Sequence, residues 1–382
     1  MTDHHKLLRS LSRTLGLGFF LILFSSGTLS TAAEEAKSPA QSGENSYPGT
    51  DICAVPSITA VRGNLLLLSS GGTDNRSVEP ALHFFDLSSR PDAPRLLSTV
   101  PLPGCVPQDI AFDGNTLYVA APPRIFRIDI SNPEKPLLTG SSSPAGSPAA
   151  AVGGIIAFDG KELFCAARRL SLQIFSPPES AFSGASAVPS ASASFTSDFL
   201  RSLHRFGRHL YGANDVRGIL IFDEKGKLLK RQDSGPGTVM RIRDDGQNLF
   251  LANGSGGFQI LAPADRHGNC AVLGKIPSLG TYECFGTFLF DVALNNEVSP
   301  ARHVYLAAGE SGVAAADVSH PENPVLLSIC PELFFAYIRS LAVSGQYLYA
   351  NDDFFGLRVL SIADPASPKL IDPGIPFPKK KK

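Results

Sequence analysis

The sequence predicts an all-β fold, a seven-bladed β-propeller of four-stranded blades, and three observations lead there. One pattern recurs seven times: a glycine turn, an apolar run carrying an aromatic marker, a polar loop and a further apolar run. Those runs are short, rich in Val, Ile, Leu and Phe, and bounded by Gly, Pro, Asn and Asp, which is how strands read. The composition agrees, with Gly 35, Pro 30, 43% hydrophobic residues and 18% charged residues. An average globular chain carries about 25% charged residues, so this one has material for a large core cut by many turns.

Taken in order, the chain opens with basic Lys6, Arg9 and Arg13, the apolar "LGLGFFLILF" (15–24) and the small residues of "STAAEEA". That is the pattern of a Sec-type signal peptide, residues 1–33, cleaved after Ala33. A secreted or periplasmic location is expected, with no transmembrane segment after cleavage. Residues 34–49 are small and polar and read as a flexible lead-in. The propeller occupies 50–374, and 375–382, ending in four lysines, is a basic tail read as a solvated terminus. The formal net charge of -1 leaves no global field for a nucleic-acid partner.

Seven copies fill the propeller. A loose first copy starts at Arg62, followed by "DGNTLYVAAPPRIFRIDI" at Asp113, "DGKELFCAARRLSLQIF" at Asp159 and "FGRHLYGANDVRGILIFD" at Phe206. "DGQNLFLANGSGGFQIL" at Asp245, "ARHVYLAAGESGVAAADV" at Ala301 and "SGQYLYANDDFFGLRVL" at Ser344 complete the set. The marker is Tyr118, Phe164, Tyr211, Phe250, Tyr305 and Tyr349, with Leu67 in the first copy. Units of four short strands at intervals of roughly 40–55 residues are propeller blades. Many runs are apolar at consecutive positions, as expected of strands covered on both faces.

Asn214 and Asp215 resemble part of a cation loop, but the same slot elsewhere holds "ANGSGG" (252–257), "AAGESG" (307–312) and "ANDDFFG" (350–356). These share turn-forming residues, not a set of carboxylates at ligand spacing, so a hairpin turn is expected.

A second motif follows the third strand: "DLSSRPDAPRLL" (86–97), "DISNPEKPLL" (129–138), "DVSHPENPVLL" (317–327) and "SIADPASPKLI" (361–371). Two prolines three apart fix the route to the next strand, and the Asp and Ser suit local turns. With "VSGQYLYA" and "FDGNTLYVA", this resembles the LVIVD-repeat proteins over about residues 51–372. The resemblance is strongest in the second, sixth and seventh units; the third to fifth have drifted. It implies the propeller fold and an exported location, and it carries over no catalytic residue.

No enzyme signature stands out. There is no GxSxG elbow, P-loop, HExxH or Rossmann glycine pattern, no Asp box, and no tryptophan of the kind that docks quinoprotein blades. The histidines, His204 and His209 included, are scattered and read as structural or surface residues. No cofactor and no metal site is expected. The six cysteines (53, 105, 165, 270, 284 and 330) form no CxxC pair. In an exported protein they point to disulfides, with Cys53 and Cys105 as the expected pair, since both precede their glycine turns by nearly the same distance. Cys165 reads as a buried small hydrophobe.

Binding is expected at the channel mouth, where the repeat brings polar first-strand residues into a ring: Gln108, Asp109, Arg201, Ser202, Arg241, Asp291 and Arg339. Phe334, Phe335 and Tyr337 of "CPELFFAYI" form an aromatic loop beside it. The sequence therefore reads as an exported binding or scaffold propeller for a protein or polymer at one face. The alternative is an exported enzyme acting on carbohydrate or another polymer at the mouth. An acidic pair and a histidine converging in the channel would favour the enzyme.

Overall fold

The computed structural model describes residues 57–71, 79–142, 155–167, 171–176, 178–182, 190–194, 200–277, 287–294, 300–333 and 336–376. All lie within one compact unit, Pro48–Lys382. The expected leader and lead-in fall outside these residues, as do Cys53, Cys284, Phe334 and Phe335.

The described residues form seven four-stranded antiparallel sheets, one per sequence unit. The blades span 59–101, 109–142, 155–194, 202–232, 241–276, 291–329 and 338–375. In every blade the strands pair in chain order, so each unit folds as a meander of neighbouring hairpins. First strands of blades 2 to 7 touch in succession around the axis, and that of the seventh meets that of the first.

Burial explains the consecutive apolar runs. Second strands such as His209–Ala213 and Leu249–Ala252 are buried at every position, because both sheet faces meet a neighbouring blade. Outermost strands such as Leu137–Ser142 are mostly exposed. The core is thus a ring of apolar seams. One seam joins blades 1 and 2 through Leu67, Leu82, Phe84, Leu117, Val119 and Phe126.

The turn expected at Asn214–Asp215 is present and has a second role. Asp215 holds φ 50°, alone among the described non-glycine residues, while Gly254 and Gly309 occupy the same slot at 51° and 54°. Each bridges to the segment entering the next blade: Asp215 to Val239, Gly254 to Leu289 and Gly309 to Ile338. A Cβ at Gly254 would meet the Phe288 ring at 2.8 Å, so glycine is required there on steric as well as conformational grounds.

The proline loops carry the expected local turns. Ser88, Ser131 and Ser319 donate their N–H groups to Asp86, Asp129 and Asp317 at 3.0, 2.8 and 2.8 Å.

Every blade is built from its own consecutive strands, so the ring closes through side chains. Ser340 Oγ lies 2.8 Å from Ser57 Oγ and 2.7 Å from Thr59 Oγ1. Asn351 Nδ2 donates to Ser69 O (3.0 Å) and Ile58 O (3.3 Å), and Tyr349 OH donates to Pro91 O (2.9 Å).

The expected Cys53–Cys105 disulfide is corrected. Cys105 is a free thiol, and Cys165, Cys270 and Cys330 are free as well, all four buried. Cys105 sits in the apolar seam of blades 1 and 2 with Ile58, Leu102 and Val119, so it serves as a small core residue. Burial pushes the thiols of Cys270 and Cys330 up to about 12 and raises that of Cys165 as well.

Candidate functional site

First strands from six of the seven blades line an axial cavity of about 320 Å³. At its mouth, the repeat sets the opening residues of these strands at one level. Arg241 opens the first strand of blade 5 (Arg241–Asp244) and lies between two carboxylates from other blades. Its Nη1 donates to Asp109 Oδ1 at 3.3 Å, and its Nε is 3.6 Å from Asp291 Oδ1, an ion pair longer than a hydrogen bond. Its Nη2 reaches Ser57 O at 3.5 Å.

Backbone amides hold both acids. Ile156 N–H donates to Asp109 Oδ2 at 3.2 Å, while Val292 and Leu341 donate to Asp291 at 2.9 and 3.2 Å. Burial raises the pKa of Asp109, opposed by the Arg241 charge, the Ile156 amide and Arg243. Burial works against the charge of Arg241 too, but Asp291 and Asp109 outweigh it and its pKa is raised. One guanidinium thus ties blade 5 to blades 2 and 6 across the axis.

Further along the strands sits a second group. His204, in the first strand of blade 4 (Ser202–Phe206), has Nε2 2.6 Å from Asp244 Oδ2 of blade 5. The carboxylate only accepts, so Nε2 carries the proton and Nδ1 is the basic nitrogen of the neutral ring. The side chains are 20% and 24% exposed, which leaves both open to the cavity. Burial works to raise the Asp244 pKa, but the His204 hydrogen bond and charge, the Gly246 amide and Arg243 hold it below the ordinary carboxylate value. Three residues separate Arg241 from Asp244, about 10 Å at strand rise, so the two groups occupy two levels of one cavity. Phe112, Val343 and Leu294 supply apolar wall to the cavity.

The comparisons can be read against this geometry. The LVIVD repeat model matches residues 106–143 and 337–372, the second and seventh blades. The chain thus carries LVIVD repeats within a seven-bladed β-propeller. No curated protein matches its sequence. Among solved structures it is similar to a candidate 6-phosphogluconolactonase of Bacteroides fragilis, at TM-score 0.63 and 14% identity, over 82% of this chain and 96% of that one. It is also similar to the Pseudomonas aeruginosa periplasmic gluconolactonase PpgL, at TM-score 0.60 and 14% identity, over 83% and 95%. The RRP9 WD40 repeats align at TM-score 0.58 and 14% identity, over 76% and 84%. At such identities these likenesses show the fold alone.

Within the propeller, the residues expected at the mouth separate into three groups. Asp109, Arg241 and Asp291 come together as described. Arg201 and Arg339 each pair with a carboxylate in the hairpin loop of their own blade, fourteen residues on: Arg201 with Asp215 at 2.9 Å, Arg339 with Asp353 at 2.5 Å. Arg339 also lies over the Tyr337 and Phe290 rings at 5.1 and 5.7 Å, which places Tyr337 in the packing between blades 6 and 7. Gln108 is half-buried with its N–H donated to Ala120 O, and Ser202 is fully buried; neither lines the cavity. The aromatic loop residues Phe334 and Phe335 lie outside the described residues.

Sequence reasoning missed His204, Asp244 and Arg243. For His204 and Arg243 a signal was present as the alternation in "SLHRF" and "RIRD", which sets polar residues at every second place along strands that face an axis, whereas Asp244 stands one residue off it. Among the described residues no three His, Cys, Asp or Glu side chains gather as metal ligands, and no helix is long and apolar enough to cross a membrane.

Proposed function

We propose that this LVIVD propeller is an exported hydrolytic enzyme, acting in its axial cavity on a small polyhydroxylated ester or lactone. The observation that carries the reading is the convergence of the His204–Asp244 pair with Asp109 and Arg241, the latter backed by buried Asp291, at one cavity of about 320 Å³. A pocket of about 300 Å³ takes a monosaccharide-sized molecule. Asp244 orients the imidazole and supports the imidazolium, as a carboxylate does behind a catalytic histidine. His204 Nδ1 takes a proton from water as the water oxygen attacks the acyl carbon. The acyl–oxygen bond then breaks and the proton passes to the leaving alkoxide. The two lactonase-type structures support the reading as propellers of matching extent. The leader-like N-terminus supports export.

The scaffold reading draws on the WD40 likeness and on Phe354 and Phe355, which are exposed on blade 7. Turnover separates the two. The exported protein is expected to hydrolyse one or more members of a panel of sugar lactones and esters above the spontaneous rate. His204→Gln should lower the rate by about 10²–10⁴-fold, the usual worth of a general base, with the melting temperature nearly unchanged. Absence of turnover across the panel, with a cell-surface protein or polymer captured instead, would return the molecule to the scaffold class.

A further inference from the structure

The two arginines of the cavity are not equivalent. Arg241 and Arg243 stand two apart on one strand, so both side chains project to the same side. Arg241 is enclosed by Asp109 and Asp291 and its side chain is 10% exposed. The Arg243 side chain is 37% exposed, and only its Nη2 finds a partner, 3.5 Å from each oxygen of Asp291. That carboxylate already takes the Val292 and Leu341 amides and faces Arg241. Nε and Nη1 of Arg243 make no hydrogen bond among the described residues.

Both neighbouring acids already have a partner at each oxygen. Asp109 accepts from Arg241 and Ile156, and Asp244 accepts from His204 at one oxygen and from the Gly246 amide, at 2.8 Å, at the other. Arg243 therefore keeps unpaired donors on one planar guanidinium. A guanidinium edge matches the paired oxygens of a carboxylate or phosphate, and charge-assisted bonds of this kind are about twice as strong as neutral ones.

We infer that the ligand of the axial cavity carries an anionic group, a carboxylate or a phosphate, which Arg243 reads through its unpaired Nε–H and Nη1–H donors; this rests on the axial cavity being the functional site. The substrate class becomes an acidic or phosphorylated sugar derivative. Arg243 acts as a specificity residue, while His204 beside it performs the proton transfer. Asp291 sets the tilt of the guanidinium by holding Nη2 from behind.

Calorimetric titration of the full chain with glucose, glucuronate and glucose 6-phosphate tests this, since the three share a ring and differ at one carbon. One or both anionic sugars should bind at least about 10-fold more tightly than glucose, the lower range for a charge-assisted contact. The tighter of the two identifies the anion. Arg243→Gln should abolish that preference. Arg243→Lys, which keeps the charge without the fork, should retain part of it. Melting curves of both variants check that they fold. Equal binding of glucose and the two anions would overturn the anion assignment and leave the cavity as the site. A preference that survives in Arg243→Gln would place the anion elsewhere and overturn the assignment too. If none of the three binds, and the His204 resonance does not move when they are added, the cavity reading fails and this inference falls with it.

Discussion

At the seam of blades 6 and 7, Ser328 Oγ donates to Ala366 O at 2.6 Å, and at the seam of blades 1 and 2, Ser98 Oγ donates to Pro133 O at 2.7 Å. At the seam of blades 4 and 5 the partner is a glutamine. Gln232 Nε2 donates to Cys270 O at 2.8 Å while Cys270 N–H donates to Gln232 Oε1 at 3.0 Å. The difference follows from proline. A loop with two prolines has lost backbone donors, so it offers its neighbour carbonyls, and a short hydroxyl donor matches them. The drifted blade 5 loop keeps a free N–H beside its C=O, and only an amide side chain answers both. Blade 4 and blade 5 loops also retain the turn that the motif provides. Asp223 Oδ1 accepts from Lys225 and Lys227, and Asp265 Oδ1 from His267 and Asn269, all at 2.8 to 2.9 Å. Loss of the motif thus removed the prolines and left the Asp-anchored turn and the blade contact in place.

Acid is expected to expose the largest difference between the two sides of the ring. Blade 1, which carries a proline loop, buries His83 between Ser70 Oγ (2.9 Å) and Thr99 Oγ1 (3.0 Å), and burial lowers its pKa to about 4. The unfolded chain takes up this proton near pH 6.5 and the folded chain only near 4, so stability falls as pH drops through that window. The loss approaches about 3 kcal/mol at its lower end and grows no further from this group below it. Denaturant midpoints measured from pH 7 to 4 should show that slope, and His83→Gln should remove it. A wild-type slope retained in the variant would assign acid sensitivity to another group.

The ring-closing contact comes next in size. Asn351→Ala leaves Ser69 O and Ile58 O without their side-chain donor in a buried seam, and a loss of about 2–3 kcal/mol is expected in urea unfolding. The two seam chemistries should then separate from each other. Gln232→Ala strips a donor and an acceptor from Cys270 and should cost about 2 kcal/mol, whereas Ser328→Ala removes one bond and should cost about 1 kcal/mol. Equal losses would show that the glutamine pairing contributes nothing beyond a single bond.

Much of the architecture could be read from residues alone, because a repeat reports its own period. The seven marker positions lie inside the second strands, while the glycine turns and the Asp–Ser–Pro motif stand at strand boundaries. Asp215 illustrates a reading that was right for an incomplete reason. Its turn was legible, but its bridge to Val239 depends on the next blade. The site was less legible. Asp109, Arg241 and Asp291 were found because repeat position places them at one level. His204 was set aside because its partner, Asp244, is forty residues away in sequence and 2.6 Å away in space.

The sequence by itself determined the local structure: short apolar strands, the turns between them, and through their sevenfold recurrence the number of blades. Propensity, turn chemistry and hydrophobic pattern act over a few residues and are repeated in every unit, so each copy supports the others. What only the tertiary structure decided are the partners of individual side chains. These include Cys105 lying free in an apolar seam, Arg201 and Arg339 pairing with carboxylates of their own blades, and Arg241 holding two acids while Arg243 keeps unpaired donors. Closing seven blades into a ring brings together side chains from strands far apart in the chain. Their charge pairing depends on distances of a few ångströms across the axis, which no local pattern encodes.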